Sequence, residues 1–263
     1  MDEIKGITKN ALYETAATKG FGKEFIAKDY VLTEILFLLK DTPNIYFKGG
    51  TAIQKAFLHH SRLSEDIDFT ITKSVKEIDS QITKILKDSK LFTRISHDKD
   101  VAGFTRIVVG YHLFDEIRGE VFIDLNERAK VLLKPEKHPI EHFYQPSIPA
   151  FSVNTLALEE LIAEKLSAAI TRNKPRDHFD IYQLIKAGHK INHKLARQKC
   201  EAAGAEFSIL KLFNNAKTLK NRWDADMIPL IAEEVEFTTV MRFLANHFNL
   251  KQEKEKARKK QNM

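Results

Sequence analysis

The chain has one cysteine, no long apolar run and no apolar stretch near its first residues, and each shortage excludes something. A lone thiol, Cys200, can form no internal disulfide and cannot build a cysteine-based zinc site. The longest uninterrupted aliphatic and aromatic run is Ile35 to Leu39, far short of the roughly 20 residues that span a bilayer. The opening MDEIKGITKN lacks the apolar h-region of a secretory signal. These absences predict a soluble, cytoplasmic protein with no membrane partner.

What is present argues for a packed core. Of 263 residues 43% are hydrophobic and 18 are Phe, too many for general disorder. At roughly 150 residues per domain the length fits one large domain or two modest ones. The net charge of +6 hints at nucleic acid, but six basic and two acidic residues between Lys251 and Lys260 supply +4 of it, leaving the rest at +2. A solvated, disordered tail and an RNA-touching one both fit, because phosphate attraction needs only clustered Lys and Arg.

Periodicity divides the chain. Residues 24 to 40 read as a helix apolar on most sides, hence buried. A turn at Asp41-Thr42-Pro43-Asn44 leads to a short strand, Ile45-Tyr46-Phe47, and Gly49-Gly50 opens a helix. Asp66 to Ile71 alternates as a strand should, residues 75 to 88 look helical, and two β-rich runs follow, Phe104 to His112 and Glu120 to Leu125. From about residue 153 the periodic segments are helical: Leu156 to Thr171, Arg176 to Ala187, Leu195 to Ala203, Leu210 to Lys220 and Ile228 to Phe248. The expected organisation is a mixed α/β domain over 1–150, a helical bundle over 151–250, and a basic, disordered tail over 251–263.

Four constellations carry chemistry. Lys48-Gly49-Gly50-Thr51 lies between a strand and a helix; glycines admit a close ligand and a helix N-terminus offers N–H groups to phosphate, although a Gly-Gly pair also makes a plain tight turn. In Arg62-Leu63-Ser64-Glu65-Asp66-Ile67-Asp68, the two aspartates at i and i+2 of a strand share a face, about 7 Å apart. They could hold one or two divalent ions, or form a solvated acidic edge. One helix away from the Gly-Gly turn, they complete the two halves of a magnesium–nucleotide site. Asp124, interrupting Val121-Phe122-Ile123 and Leu125, is a third carboxylate, with Glu120 and Glu127 as alternatives. In the helical half, Lys165 interrupts the stripe Leu158, Ile162, Ala169; such a lysine either snorkels or serves a site. Asp177 and Asp180 open the next helix, where they also suit the helix dipole.

Together, FKGGTAIQKAF, RLSEDIDF and LALEELIAEKLSAAITRNKPRDHFDIYQL resemble the motifs of the AbiEii-type nucleotidyltransferase toxins (the DUF1814 family) of the polymerase-β-like minimal nucleotidyltransferase superfamily. The resemblance runs from Lys28 to about Leu184; nothing recognisable covers 190 to 263. It implies a nucleotidyltransferase-like mixed sheet with flanking helices, and an enzyme that takes an NTP with Mg²⁺ or Mn²⁺. Asp66, Asp68 and Asp124 would hold the metal. Lys48, Gly49, Gly50 and Thr51, with Arg62 and Ser64, would hold the outer phosphates. Lys165 would neutralise phosphate charge, and Asp177 would orient it or contact the acceptor. The implied partners are an RNA acceptor, most plausibly a tRNA 3′ end, and an antitoxin protein. Transfer to a protein hydroxyl, a non-catalytic nucleotide- or RNA-binding module, and an Asp-x-Asp glycosyltransferase are the rival readings. The last leaves Gly49-Gly50 and Lys165 unexplained.

Overall fold

The structure, a computed structural model, describes residues 4–261. By its contacts the chain divides into two compact units, one running to Leu158 and the other starting at Glu159.

The first unit begins with two helices, α1 (Lys9–Lys19) and α2 (Lys23–Leu39). The Thr8 side chain caps α1, and Gly20 ends it in a left-handed conformation. Strand β1 (Ile45–Lys48) runs directly into helix α3 (Gly49–Ala56), and β2 (Asp66–Ile71) follows. Next come α4 (Val75–Ser89), β3 (Arg94–Val101), β4 (Phe104–Leu113) and β5 (Ile117–Asn126). Two short strands, β6 (Glu136–Pro139) and β7 (Ser152–Thr155), close the unit. All seven strands form one mixed sheet in the order β3-β4-β5-β2-β1-β7-β6. At its centre β2 is antiparallel to β1 and parallel to β5.

Strand alternation gives this sheet two unlike faces. Phe47, Ile67, Phe69, Ile107, Ile123 and Leu125 are buried. Helices α2 and α4 pack against the sheet, and α4 supplies the stripe Ile78, Ile82 and Leu86 at one-turn spacing. The alternate positions on the central strands are polar and half-buried: Lys48, Asp66, Asp68, Arg106 and Asp124. As its composition requires, α2 is buried on nearly every side, including at the polar Asp29, Thr33 and Glu34.

The second unit is helical: α5 (Leu158–Arg172), α6 (Pro175–Lys186), α7 (His193–Ala202), α8 (Ala216–Met227), α9 (Phe237–His247) and α10 (Leu250–Gln261), with 3-10 turns at Ile209–Phe213 and Ile228–Leu230.

Four expectations need correction. Ser152–Thr155, placed past the end of the α/β half, is a strand: β7 pairs with β6 and meets β1 at Phe47 and Thr155. The helix read over Ile228 to Phe248 is broken, because Pro229 lies in a 3-10 turn and α9 starts only at Phe237. The helix read over Leu210 to Lys220 likewise splits into a 3-10 turn and α8, which starts at Ala216 after Asn215. The disordered tail is helical through Gln261: its Lys, Glu, Gln, Ala and Arg are strong helix formers, and Lys256 pairs with Glu253 at 2.8 Å. Residues 262 and 263 lie outside the described residues.

Candidate active site

Register brings four charged residues into one row across the first unit's sheet. Lys48 on β1 is opposite Asp68 on β2, Asp68 is level with Asp124 on β5, and Asp124 is opposite Arg106 on β4. Directly paired residues share a face, so the row reads plus, minus, minus, plus, with Asp66 two residues along β2 on the same face. Asp66, Asp68 and Asp124 thus lie on one face of adjacent strands, while Ile67, Phe69, Ile123 and Leu125 point the other way into the core.

The row ends beside the N-terminus of α3. Gly49 has φ +75°, and a Cβ there would stand 2.1 Å from Asp68 Oδ2, so both the backbone and the close approach of the carboxylate require glycine. A Cβ at Gly50 would stand 2.6 Å from Arg62 Nη2. The Gly-Gly pair therefore admits an anion from one side and a guanidinium from the other. The residue before the helix, Lys48, provides no side-chain cap, and its side chain has no oxygen to accept from the first N–H groups. An N-terminus of this kind, with a positive dipole end and two glycines, suits the outer phosphates of a nucleotide.

The neighbouring residues hold that start rigid. The Thr51 hydroxyl donates to the Asp66 carbonyl and lies 2.8 Å from Ser64 Oγ, tying the first turn of α3 to the head of β2. Buried to this degree, the Thr51 side chain positions the turn. Arg62 is buried and donates from Nη1 to the Leu63 carbonyl at 2.7 Å. Gln54 Oε1 accepts from Ser61 Oγ and the Arg62 N–H, so the loop between α3 and β2 folds back on the helix.

Behind the site α3 is pinned by a charge cluster that the sequence reading missed. Lys55 Nζ lies 2.7 Å from Asp29 Oδ1 and donates to Thr33 Oγ1 at 3.0 Å, and Tyr144 donates to Asp29 Oδ2 at 2.8 Å. Burial would raise the Asp29 carboxyl, but the charge on Lys55 holds it below its ordinary value. His60, against the same lysine, is pushed down to about 3, chiefly by burial and then by the lysine's charge. The available signal was Asp29 itself, a carboxylate inside a helix whose composition predicts burial on most sides.

Arg106 was missed too. Its Nε donates to Asp124 Oδ1 at 2.6 Å and its Nη2 to Oδ2 at 2.8 Å, while the guanidinium lies 5.1 Å from the Phe122 ring centroid. The hydrogen bonds that Arg106 donates to Asp124, outweighing partial burial, raise the Arg106 pKa still further, and Asp66 contributes through its charge. Both Asp124 oxygens are therefore engaged. Among the described residues no group of three or more His, Cys, Asp or Glu is arranged to hold a metal ion. Asp66 and Asp68 nonetheless fit Mg²⁺, which is commonly bound through one or two carboxylates and otherwise by water and substrate phosphates. An Arg interrupting the apolar alternation of Phe104 to His112 was the sequence signal for this residue.

In the second unit, Lys165 on α5 lies 3.1 Å from Asp177 Oδ1 and 2.9 Å from Asp180 Oδ2, both on α6. Arg172 closes on Asp177 with two bonds of 2.7 and 2.8 Å. Lys165 does not snorkel: it is 5% exposed, Asp177 1% and Asp180 0%. Burial alone would raise the Asp177 carboxyl, but Lys165 and Arg172 hold it well below the usual carboxylate range. Both aspartates are thus lysine partners, and Asp177 alone also lies in the first turn of α6, where the helix dipole favours it.

Residues 30–246 match the sequence profile of the family described as nucleotidyl transferase AbiEii toxin, type IV toxin–antitoxin system. That reaches well beyond Leu184, where the visible motifs stop. No curated protein matches the sequence. Among solved structures, the chain is similar to MenT4, a nucleotidyltransferase toxin from Mycobacterium tuberculosis, with a TM-score of 0.65, 18% identity, and 91% of this chain and 90% of that one covered. It is also similar to a putative nucleotidyltransferase from H. pylori, with a TM-score of 0.60, 21% identity, and 89% and 98% covered. At these identities the structures establish the shared fold.

Proposed function

The chain belongs to the AbiEii nucleotidyltransferase toxin family of type IV toxin–antitoxin systems and is an NTP-dependent nucleotidyltransferase, and from that premise we propose that it transfers a nucleotide to an RNA acceptor, a tRNA 3′ end. The observation that carries the reading is the meeting of Asp66 and Asp68 with the glycine-opened N-terminus of α3, a carboxylate pair beside a phosphate cradle.

In this reading Asp66 and Asp68 hold Mg²⁺, and the backbone of Gly49, Gly50 and Thr51 receives the outer phosphates with Lys48 and Arg62 close by. Bound there, the metal would neutralise charge developing on the α-phosphate and lower the pKa of the attacking hydroxyl. The acceptor oxygen bonds to the α-phosphorus, the bond from that phosphorus to the β-bridging oxygen breaks, and pyrophosphate leaves with its electron pair. The hydroxyl proton passes to solvent. Lys165 and Asp177 keep the role that the family motifs give them, charge neutralisation and its orientation, and Ser64 stays with the phosphate-holding group through Thr51. The basic α10, which carries +4 of the net charge, suits a polyanionic acceptor.

The test is incubation of the full chain with each α-labelled NTP and Mg²⁺, given total RNA or lysate protein as acceptor. Label in RNA of tRNA size supports the reading, and label in protein replaces the acceptor. In parallel, expression without an antitoxin should arrest bacterial growth for wild type and not for Asp66→Asn, with extra nucleotides on tRNA ends only in the arrested cells. Equal arrest by both proteins would mean toxicity without this chemistry.

A further inference from the structure

The carboxylate row raises a question that the family motifs leave open, namely how many ions it holds. A site built on three aspartates can clamp two divalent cations, one on each side of the reacting phosphate. Here the third aspartate is paired with an arginine. Arg106 and Asp124 are direct cross-strand partners, so the strands themselves aim one side chain at the other. The contact is bidentate, 2.6 and 2.8 Å, and takes up both Asp124 oxygens in the fork geometry that makes arginine–carboxylate pairs both strong and fixed. Phe122, on the same strand as Asp124, has its ring centroid 5.1 Å from the guanidinium, a cation–π contact that adds a second hold on Arg106. The arginine cannot give up its charge at any physiological pH. It stands one strand beyond Asp124, on the side away from Asp68, and its charge reaches Asp66 as well.

We propose that the site holds a single divalent cation, on Asp66 and Asp68, and that the Arg106 guanidinium is a permanent cation on Asp124 in place of a second ion. The inference rests on the metal assignment made above. Arg106 is then a positioning residue: it keeps Asp124 out of the metal's coordination and supplies fixed positive charge at the end of the row where a triphosphate would otherwise meet a bare carboxylate. The arrangement also explains why an arginine occurs in a strand whose other inward and outward neighbours, Ile107, Val108 and Val109, are apolar.

The measurement is the number of Mn²⁺ ions bound per full-length chain, read by electron paramagnetic resonance during titration in the presence of an NTP analogue with a methylene α–β bridge. Wild type should bind one ion with an isolated-ion spectrum. Arg106→Gln, which frees Asp124 but keeps a polar side chain, should bind two, with the broadening of a coupled pair. Arg106→Gln with Asp124→Asn should return to one, and Arg106→Lys, which keeps the charge, should stay at one. Circular dichroism of each variant establishes that it is folded. Two ions on wild type, or one ion with wild-type affinity on folded Arg106→Gln, would overturn the proposal. If neither protein binds Mn²⁺, and Asp66→Asn changes nothing, the metal assignment itself fails and this inference falls with it.

Discussion

Each unit carries a group of aspartates closed by basic side chains, and the two groups are held differently. On the sheet, Asp66, Asp68, Asp124, Lys48 and Arg106 are all half-buried along one open row. In the helical unit, Lys165, Asp177 and Asp180 are buried to 5% exposure or less, with only Arg172 reaching water. Charges that water still reaches can exchange one partner for another, so a row of this kind can accept a metal or a phosphate. A buried group has no such freedom: removing one partner strands the others in low dielectric. The same residue types therefore predict different consequences when altered, large on turnover in the row and large on stability in the cluster.

The sharpest division should come from Asp66→Asn combined with Asp68→Asn. Losing the charge that holds the cation should lower transfer by on the order of 10²–10³-fold or more, as removal of electrostatic stabilisers does. The melting temperature should stay near that of wild type, since Asp66 and Asp68 are themselves only half-buried and Asn keeps their shape. Initial rates of label incorporation and a thermal melt check both halves, and full metal-dependent transfer by the folded variant would break the assignment.

Lys165→Ala should show the opposite weighting. It leaves Asp177 and Asp180 buried without their shared lysine, which costs about 3–5 kcal/mol in comparable pairs. Denaturant unfolding would measure the loss. Transfer per folded molecule should also fall, and normal turnover by the folded fraction would confine Lys165 to a structural role.

Glu34 offers a smaller effect with a pH signature. Burial lifts its carboxyl to about 7 against the opposing hydrogen bond from Tyr30. An acid raised in the fold weakens that fold where it is ionised: the penalty begins as pH rises past the ordinary carboxylate range and is complete above about 7. Glu34→Gln, which can still accept from Tyr30, should add about 3 kcal/mol at pH 8 and little at pH 4. An equal gain at both values would contradict the assignment.

The smallest effect belongs to the tail. Deleting residues 251–263 removes +4 of charge on a helix with no buried side chain among its described residues. The fold should persist, and the slope of log affinity against log salt for RNA should fall by a few units at most. Loss of all transfer with NTP binding retained would give the tail a larger part.

How much of this was legible in the sequence depended on how local the cause was. The Asp-x-Asp spacing and the Gly-Gly turn are set within a few residues, so both could be read directly, as could the burial of α2 from its composition. Arg106 could not be placed, because its partner is fixed by the β4–β5 register and not by nearby sequence. Lys55 and Asp29 are similarly joined only by tertiary packing of α3 on α2. β3 escaped notice because RISHDKDV is polar and exposed at the sheet edge, and only pairing with β4 makes it a strand.

The account stands most directly on one comparison: metal-dependent incorporation of α-labelled nucleotide into RNA by wild type and by Asp68→Asn, with melting curves on the same samples. Asp68 packs on Gly49 and faces Lys48 and Asp124 in the row, so neutralising it should abolish incorporation while the melting temperature holds. Incorporation at the wild-type rate by a folded Asp68→Asn would contradict the placement of the chemistry on this sheet.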